Sequence, residues 1–501
     1  MKRKSLQKLA AMLMTAALAV SMTACGQKAA PAETAGGQET AVKAPETKET
    51  SEPAKDGEVV DLKWIQVGTG MPSNYDAWKA NLDSYLEEKI GVHLDVEVIP
   101  WGDWNSRRSV IVNTNEPYDI LFTDFTTYVS DINLGAFCDI TELVKTASPG
   151  LYGMIPEDYW KAAEVNGKVY AVPTLKDSSM TQYFIWDKAM LDQYEIDPSD
   201  MHTLDSMTEA LKKIHEGENV PSFILSNNGL ISMLNTYDQM STGLPAIGVR
   251  YDDQEGKVVA TMEQDDIMQQ LATLHEWYQE GIVNADAATH PEDNAAKPCS
   301  VGQGWSLAAK TTWGPNMGIE AQAVQWYETI VSNDTVRGSL SCISASSKHP
   351  EKALQLLELV NTDSYVRDAL YYGLEGENFA YTADKRVEKL NEEWSMAGYT
   401  QGTFFNVTQL EGEEVNQWEE VKELNENAKP SVLLGFTFDS AEVTDELANC
   451  TEIYQRYKSE ILTGTKDPAQ EVPAMMEEMR AAGFDKIVEA AQKQVDAFLG
   501  K

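Results

Sequence analysis

Apolar and polar residues alternate over Val59-Val60-Asp61-Leu62-Lys63-Trp64-Ile65-Gln66-Val67, and the run stops at Gly68-Thr69-Gly70-Met71-Pro72. That pattern predicts a strand entering a loop. Over 76–90, Trp78, Leu82, Tyr85, Leu86 and Ile90 fall at helical spacing, and Gly91 stands where glycine often ends a helix. A second strand is predicted over 92–99, a helix over 107–113, and a short buried strand at Tyr118-Asp119-Ile120-Leu121-Phe122. This order of strand, helix, strand, helix, strand implies a mostly parallel sheet with helices on its faces. Ligands of such sheets meet the loops beyond the carboxyl ends of the strands, which makes 68–72 and 123–125 a candidate site.

Asn166-Gly167 reads as a tight turn into a strand over 168–173, followed by a strand over 181–186 and a helix from Lys188. Helical spacing fits 206–216, 265–280, 350–361 and 363–372. The C-terminal region is helical over 444–463, 473–482 and 486–499, punctuated by Gly464 and Gly483. Asp252-Asp253-Gln254-Glu255-Gly256 lacks the ligand pattern of a calcium loop and reads as a hairpin turn. No repeat period is visible.

The N-terminus follows another pattern. Met1-Lys2-Arg3-Lys4 and Lys8 precede an apolar run over 9–20 and then Met22-Thr23-Ala24-Cys25. A basic head, a short apolar segment and small residues before a cut describe a secretory signal. The run falls short of the roughly 20 residues that span a bilayer. Thr23-Ala24-Cys25 resembles the lipobox of bacterial lipoproteins, with Met22 where leucine is usual. That resemblance implies a signal peptide over 1–24 and lipid on Cys25; the alternative is an ordinary cleaved signal with an incidental cysteine. Residues 26–58 contain no aromatic residue, and Val42 is their one aliphatic residue beyond alanine. Such a stretch cannot bury enough surface to fold, so 25–58 is read as the lipidated cysteine and a flexible tether. The body starts near Val59 and is expected on the outer face of the cytoplasmic membrane.

The remaining chain is too long for a single core and calls for two or more domains. The formal charge is −39, and the signal segment adds basic residues but no acidic one, so the mature chain is more acidic still. This argues against nucleic acid and anionic lipid surfaces as partners. It suits a cationic ligand, or simply a solvated acidic surface. Cys138, Cys299, Cys342 and Cys450 are far apart with no CxxC spacing, which argues against zinc and leaves disulfides and free thiols both open. His93, His202, His215, His275, His290 and His349 show no metal spacing. There is no HExxH, GxSxG or Walker A pattern. Gly302-Gln303-Gly304-Trp305 lacks the third glycine of a dinucleotide loop, and Lys310-Thr311 follows Ala309 where a P-loop has glycine. No metal or cofactor is expected. A carboxylate pair of the glycoside hydrolase kind stays open, because distance is not visible in sequence.

Four segments carry a family resemblance. They are Gly167-Lys168-Val169-Tyr170-Ala171-Val172-Pro173 with Tyr183-Phe184-Ile185-Trp186-Asp187-Lys188; Ser339-Leu340-Ser341-Cys342-Ile343-Ser344 with His349-Pro350-Glu351; Tyr371-Tyr372-Gly373-Leu374-Glu375-Gly376-Glu377-Asn378-Phe379; and Leu434-Gly435-Phe436-Thr437-Phe438-Asp439 with the tail. In order and spacing they resemble the extracellular solute-binding proteins of ABC importers, carbohydrate branch, in a lipoprotein subgroup common in Gram-positive bacteria. The resemblance implies an α/β, two-lobe periplasmic-binding-protein-like fold of type II, with a hinge and a central ligand cleft. Lobe I is expected over 59–176 plus 341–382, and lobe II over 177–340 plus 383–501.

Sugar recognition needs flat apolar faces for the pyranose ring and planar polar groups for its hydroxyls, set in a cleft. Asp177, by resemblance, occupies a position where relatives place an acidic sugar ligand, with Lys176 beside it. Asp124 and Phe125 end the third predicted strand, Trp305 stands where relatives carry a cleft aromatic, and Tyr372 and Glu375 lie near the returning lobe I segment. Phe436 and Phe438 are two apart on a predicted strand, so one should face the core and the other the cleft. Each has a plainer reading: Asp124 as a helix cap, Trp305 as core, Glu375 as a surface charge. Trp101 and Trp104 read as core or as the cleft rim. The resemblance implies a non-enzymatic monomer that captures a sugar or oligosaccharide, passes it to permease subunits, and touches the membrane through its lipid alone. The alternatives are a binding protein for a charged solute or peptide, and a surface glycoside hydrolase. An adhesin lacks the expected repeats or stalk.

Overall fold

The computed structural model describes residues 59–394 and 396–501. The signal segment, Cys25 and the tether expected over 1–58 lie outside the described residues. β1 (Val60–Gly68), α1 (Tyr75–Ile90), β2 (Val92–Pro100), α2 (Trp104–Thr114) and β3 (Ile120–Thr123) follow one another in the expected order. β1 pairs parallel with β2 and with β3, as strands joined through a helical crossover do. Both faces of β1 are buried. Trp64 enters a core with Trp78, Leu94 and Leu356, and Ile65 one with Ile111, Leu121 and Cys342 on the other side. α1 turns Trp78, Leu82 and Leu86 inward and ends at Gly91, in the left-handed conformation, whose N–H bonds the Glu87 carbonyl.

The chain leaves this lobe at β4 (Ala171–Pro173) and builds a second body. β5 (Gln182–Asp187) lies between β6 (Cys299–Gln303) and β7 (Ala321–Gln325), antiparallel to both. Helices Leu204–Glu218 and Asp265–Glu280 cover that sheet, and their core includes Phe184, Trp186, Leu211 and Trp277. The turn expected at 252–256 joins the antiparallel strands Ile247–Arg250 and Val258–Ala260. The chain then returns as β8 (Leu340–Ile343), giving the lobe I sheet the order β2-β1-β3-β8-β4. β8 is antiparallel to β3 and β4. The sheet is therefore parallel apart from β8, which enters from the other lobe.

Helices α3 (Pro350–Thr362) and α4 (Ser364–Tyr372) pack on lobe I, and a hairpin of β9 (Phe379–Tyr381) and β10 (Val387–Lys389) follows. The boundary expected between 382 and 383 falls in the turn of that hairpin. α5 (Gln417–Glu426) precedes the tail helices α6 (Thr444–Leu462), α7 (Pro468–Ala481) and α8 (Phe484–Leu499). α7 starts earlier than its sequence period implied. Asp467 caps it by accepting the Ala469 N–H, Pro468 stands in its first turn, and Pro473 is carried inside. All four cysteines of the body are free thiols, three of them buried.

Three stretches of backbone run side by side between the lobes. Met180 and Ile330 exchange hydrogen bonds of 2.8 and 3.1 Å, Thr174 N–H bonds Ser339 O at 3.1 Å, and Lys429 N–H bonds Thr329 O at 2.9 Å. Arg337 is buried in this crossing. Its guanidinium donates to the carbonyls of Ala162 and Glu164, both at 2.8 Å, and to Thr437 Oγ1 at 3.0 Å.

Candidate functional site

The carboxyl ends of the lobe I strands present aromatic surface. Trp101, just past β2, is 51% exposed and stacks on Tyr399 with ring centroids 6.1 Å apart and 20° between planes. Tyr399 also meets Phe122 in a T-shaped arrangement, with ring centroids 5.9 Å apart. Phe125, past β3, is 48% exposed. Asp124 accepts the Thr126 N–H at 3.0 Å and the Thr126 hydroxyl, so one of its oxygens holds the turn into the next short helix. The plainer reading of Asp124 thus accounts for part of its side chain.

At the first crossing, Lys176 and Asp177 form an ion pair of 3.0 Å, both half-buried. α5 holds this segment in place. Asn425 donates to the Lys176 carbonyl at 2.6 Å and accepts from the N–H and hydroxyl of Ser179 at 3.0 and 2.8 Å.

The same helix organises lobe II's contribution. Gly304 adopts a φ of +154°, and a Cβ there would lie 2.9 Å from the Trp313 ring. The chain passes this point into Trp305, whose indole N–H donates to Gln417 Oε1 at 3.1 Å. Both carboxylate oxygens of Glu420 accept backbone N–H groups, from Ser306 at 2.7 Å and Leu307 at 3.0 Å. Trp305 tilts against Trp418 at 5.4 Å, and Trp418 lies flat on Phe404. Phe404 and Tyr371 flank the buried Arg367 guanidinium at 5.4 and 5.2 Å. Burial pushes the Arg367 pKa down to about 10, and the two ring faces help hold its charge. This ladder of rings leads from lobe II to lobe I. Beside it lies a cavity of about 240 Å³, lined by Tyr372, Lys389, Trp394, Thr408, Gln417 and Trp418.

A second, larger cavity of about 550 Å³ opens in lobe II along β6, with Asn228, His290, Trp313 and Asn316 in its walls. β6 connects the two regions, passing from Ser300 in this groove to Gln303 just before Gly304 and Trp305.

The residues expected from sequence divide into two groups. Lys176, Asp177, Asp124, Phe125 and Trp305 sit on strand ends or crossings with part of their surface open. Tyr372 is packed against Phe379 and donates its hydroxyl to the Thr408 carbonyl at 2.6 Å, so only its edge borders the smaller cavity. Glu375 stands exposed on the turn after α4. Phe436 and Phe438 correct the strand expectation: they lie on irregular chain, and both are buried in the lobe II core, at 5% and 7% exposure. The cause is Asn333, whose side chain takes the Leu433 and Phe436 carbonyls and the Gly435 N–H and curls the segment. Neither ring is left to face a ligand. Sequence reasoning missed Tyr399, Trp418, Gln417, Glu420 and Trp313, whose neighbours are distant in the chain.

Aromatic faces beside amides and carboxylates at the crossings of a two-lobed α/β body form a surface suited to solute capture. Residues 81–373 match the family model for bacterial extracellular solute-binding proteins. The chain belongs to this family. Residues 432–500 match a domain of unknown function. A carbohydrate ABC transporter substrate-binding protein of Streptococcus pneumoniae is 30% identical over 89% of this chain and 92% of its own length. Lipoprotein LipO of Bacillus subtilis is 24% identical over 40% of this chain and 41% of its own. The crystal structure of the N-glycan transport solute binding protein NgtS from Streptococcus pneumoniae is 29% identical and superposes with a TM-score of 0.80, covering 89% of this chain and 100% of that one. The same protein in complex with Man5GlcNAc gives a TM-score of 0.66 at 30% identity over 88% of this chain and 99% of that one. The family is thus one of solute-binding proteins.

Proposed function

We propose that this chain is a lipid-anchored extracellular protein that captures an oligosaccharide between its lobes and delivers it unaltered to an ABC importer. The observation that carries the reading is the near full-length similarity to a protein solved with a bound glycan. The site has what such a ligand needs. Trp101, Tyr399, Trp305 and Trp418 offer ring faces to pyranose C–H groups, while Asp177, Lys176 and Gln417 offer planar or charged partners to hydroxyls. The chain matches the first structure of that relative better than its glycan complex, by TM-scores of 0.80 against 0.66. This supports a resting form that ligand shifts by binding another arrangement of the lobes more tightly.

The hinge lies at the crossings near 174–181, 326–339 and 429–437. Lobe I extends through about residue 411, because the Val387 N–H bonds the Gln409 carbonyl, the Glu411 N–H bonds the Val387 carbonyl, and Arg367 grips the Thr403 carbonyl. The protein acts as a monomer docked on permease subunits, held to the membrane through Cys25 alone.

Calorimetry of the chain lacking residues 1–25 against neutral and acidic oligosaccharides, amino acids, peptides and polyamines tests capture. Tight binding of an oligosaccharide recovered intact by chromatography is expected. A peptide or polyamine as the sole ligand, or a cleaved glycan, sinks the reading. Metabolic labelling with a fatty acid tests the anchor: wild type should carry label, and Cys25→Ser should lose it and appear in the medium.

A further inference from the structure

The groove of about 550 Å³ in lobe II is lined by a lysine that has no ion-pair partner. Lys458, from α6, lines it and is half-buried. Among the described residues it is the one half-buried lysine with neither ion pair nor hydrogen bond; the other lysines without these are exposed. Of the two acids in the same groove, one is paired with a lysine and the other bonds a neutral amide. Glu292 accepts from the Asn228 amide at 3.3 Å, and Asp293 pairs with Lys297 at 2.9 Å and lies 3.5 Å from His290. A half-buried lysine with no counter-ion can make a charge-assisted contact to a ligand that brings its own anion.

The other walls fit a sugar. Trp313 supplies a ring face, and Asn294 and Asn316 supply amides. β6 supplies backbone groups as well. The Gly304 N–H bonds Thr181 O and the Asp187 N–H bonds Pro298 O. With the antiparallel register of β5 and β6, Ser300 and Gly302 therefore bond to β5, while the N–H and carbonyl of Val301 point away from it. Val301 lies in the groove wall.

We propose that this groove receives the acidic unit of a carbohydrate ligand, a sialic or uronic acid, with Lys458 pairing its carboxylate and Trp313 stacking on its ring. The inference rests on the oligosaccharide reading above and adds the substrate class. β6 runs from this groove to Trp305, so one branched or extended ligand can reach both regions.

Calorimetry on the chain lacking residues 1–25 compares sialylated glycans released from glycoproteins, oligogalacturonides, the methyl esters of both, and neutral glycans of matched length. An acid form should bind about tenfold more tightly than its ester, as expected for one charge-assisted contact. Lys458→Gln should abolish that preference, and Lys458→Arg should restore most of it. Equal affinity for acid and ester, or a preference that survives Lys458→Gln, overturns the inference and leaves oligosaccharide capture standing. Binding of no glycan at all overturns both.

Discussion

Trp418 lies on Phe404 with ring centroids 4.2 Å apart and 9° between the planes. Phe404 is nearly buried and its N–H bonds the Leu175 carbonyl at 3.1 Å, beside the first crossing. Trp418 is half-buried and tilts at 44° against Trp305. The two rings therefore play different parts, Phe404 as a support and Trp418 as a platform. Trp418→Ala should weaken oligosaccharide binding by about tenfold or more, roughly 1.4 kcal/mol, with a small fall in Tm. Phe404→Ala should destabilise the protein by about 3 kcal/mol. Calorimetry and urea unfolding separate the two; equal loss of stability in both variants contradicts the division.

Glu420 orders the loop that carries Trp305. Its carboxylate accepts the N–H groups of Ser306 and Leu307, and charge-assisted bonds of this kind are the strong ones. Glu420→Gln can accept through one oxygen only. The expected outcome is an affinity loss of about tenfold with stability changed by about 1 kcal/mol. Unchanged affinity in calorimetry removes Glu420 from the site.

Arg337 is fully buried where the lobes join, and its Nη1 lacks a hydrogen-bond partner. It braces the carbonyls of Ala162 and Glu164 and the Thr437 hydroxyl. Arg337→Met should cost about 3 kcal/mol, since three acceptors lose their donor and Asp334 and Asp238 lose a nearby positive charge. Urea denaturation monitored by tryptophan fluorescence measures it. A variant as stable as wild type refutes the brace.

Asp238 is buried between lobe II elements. It accepts the Met240 N–H at 2.9 Å and the Ser431 hydroxyl at 2.5 Å. Burial, with Asp334 nearby, pushes its pKa up to about 6, while Arg337 acts the other way. Folding thus raises its affinity for a proton. Stability from this group is present below the unfolded pKa and is lost as pH rises through about 6. Asp238→Asn mimics the protonated form. Its Tm should exceed that of wild type by about 2 °C or more at pH 7.5, and the difference should shrink as pH falls through 6 and close only below about pH 4, where the unfolded carboxyl is protonated too. A difference that is constant with pH rules this out.

The fold was legible where neighbours in sequence are neighbours in space. The apolar alternation before Gly68 and the helical stripe Trp78, Leu82, Leu86 depend on periods of two and of three to four, and both elements stand where those periods put them. Of the proposed site, only residues at strand ends and crossings, Phe125, Asp177 and Trp305, could be singled out from sequence. Tyr399 meets Trp101, and Glu420 meets Ser306, across more than a hundred residues of chain. No local pattern announces such pairs. Phe436 and Phe438 show the converse: a spacing of two mimics a strand, but Asn333, about a hundred residues upstream, curls the segment into the core.

The place of β8 in the first sheet has a further effect on how the molecule comes into being. It separates β3 from β4, yet it follows the whole of β5 to β7 in the chain. A chain that emerges N-terminus first exposes Leu121 and Val172 on two unpaired strand edges until residue 343 has appeared. Long-range pairings of this kind form late and leave edges open to wrong partners. Lobe I therefore cannot mature before β5 to β7 of lobe II have emerged. Truncation anywhere before Leu340 should yield an aggregation-prone product rather than half a binding protein.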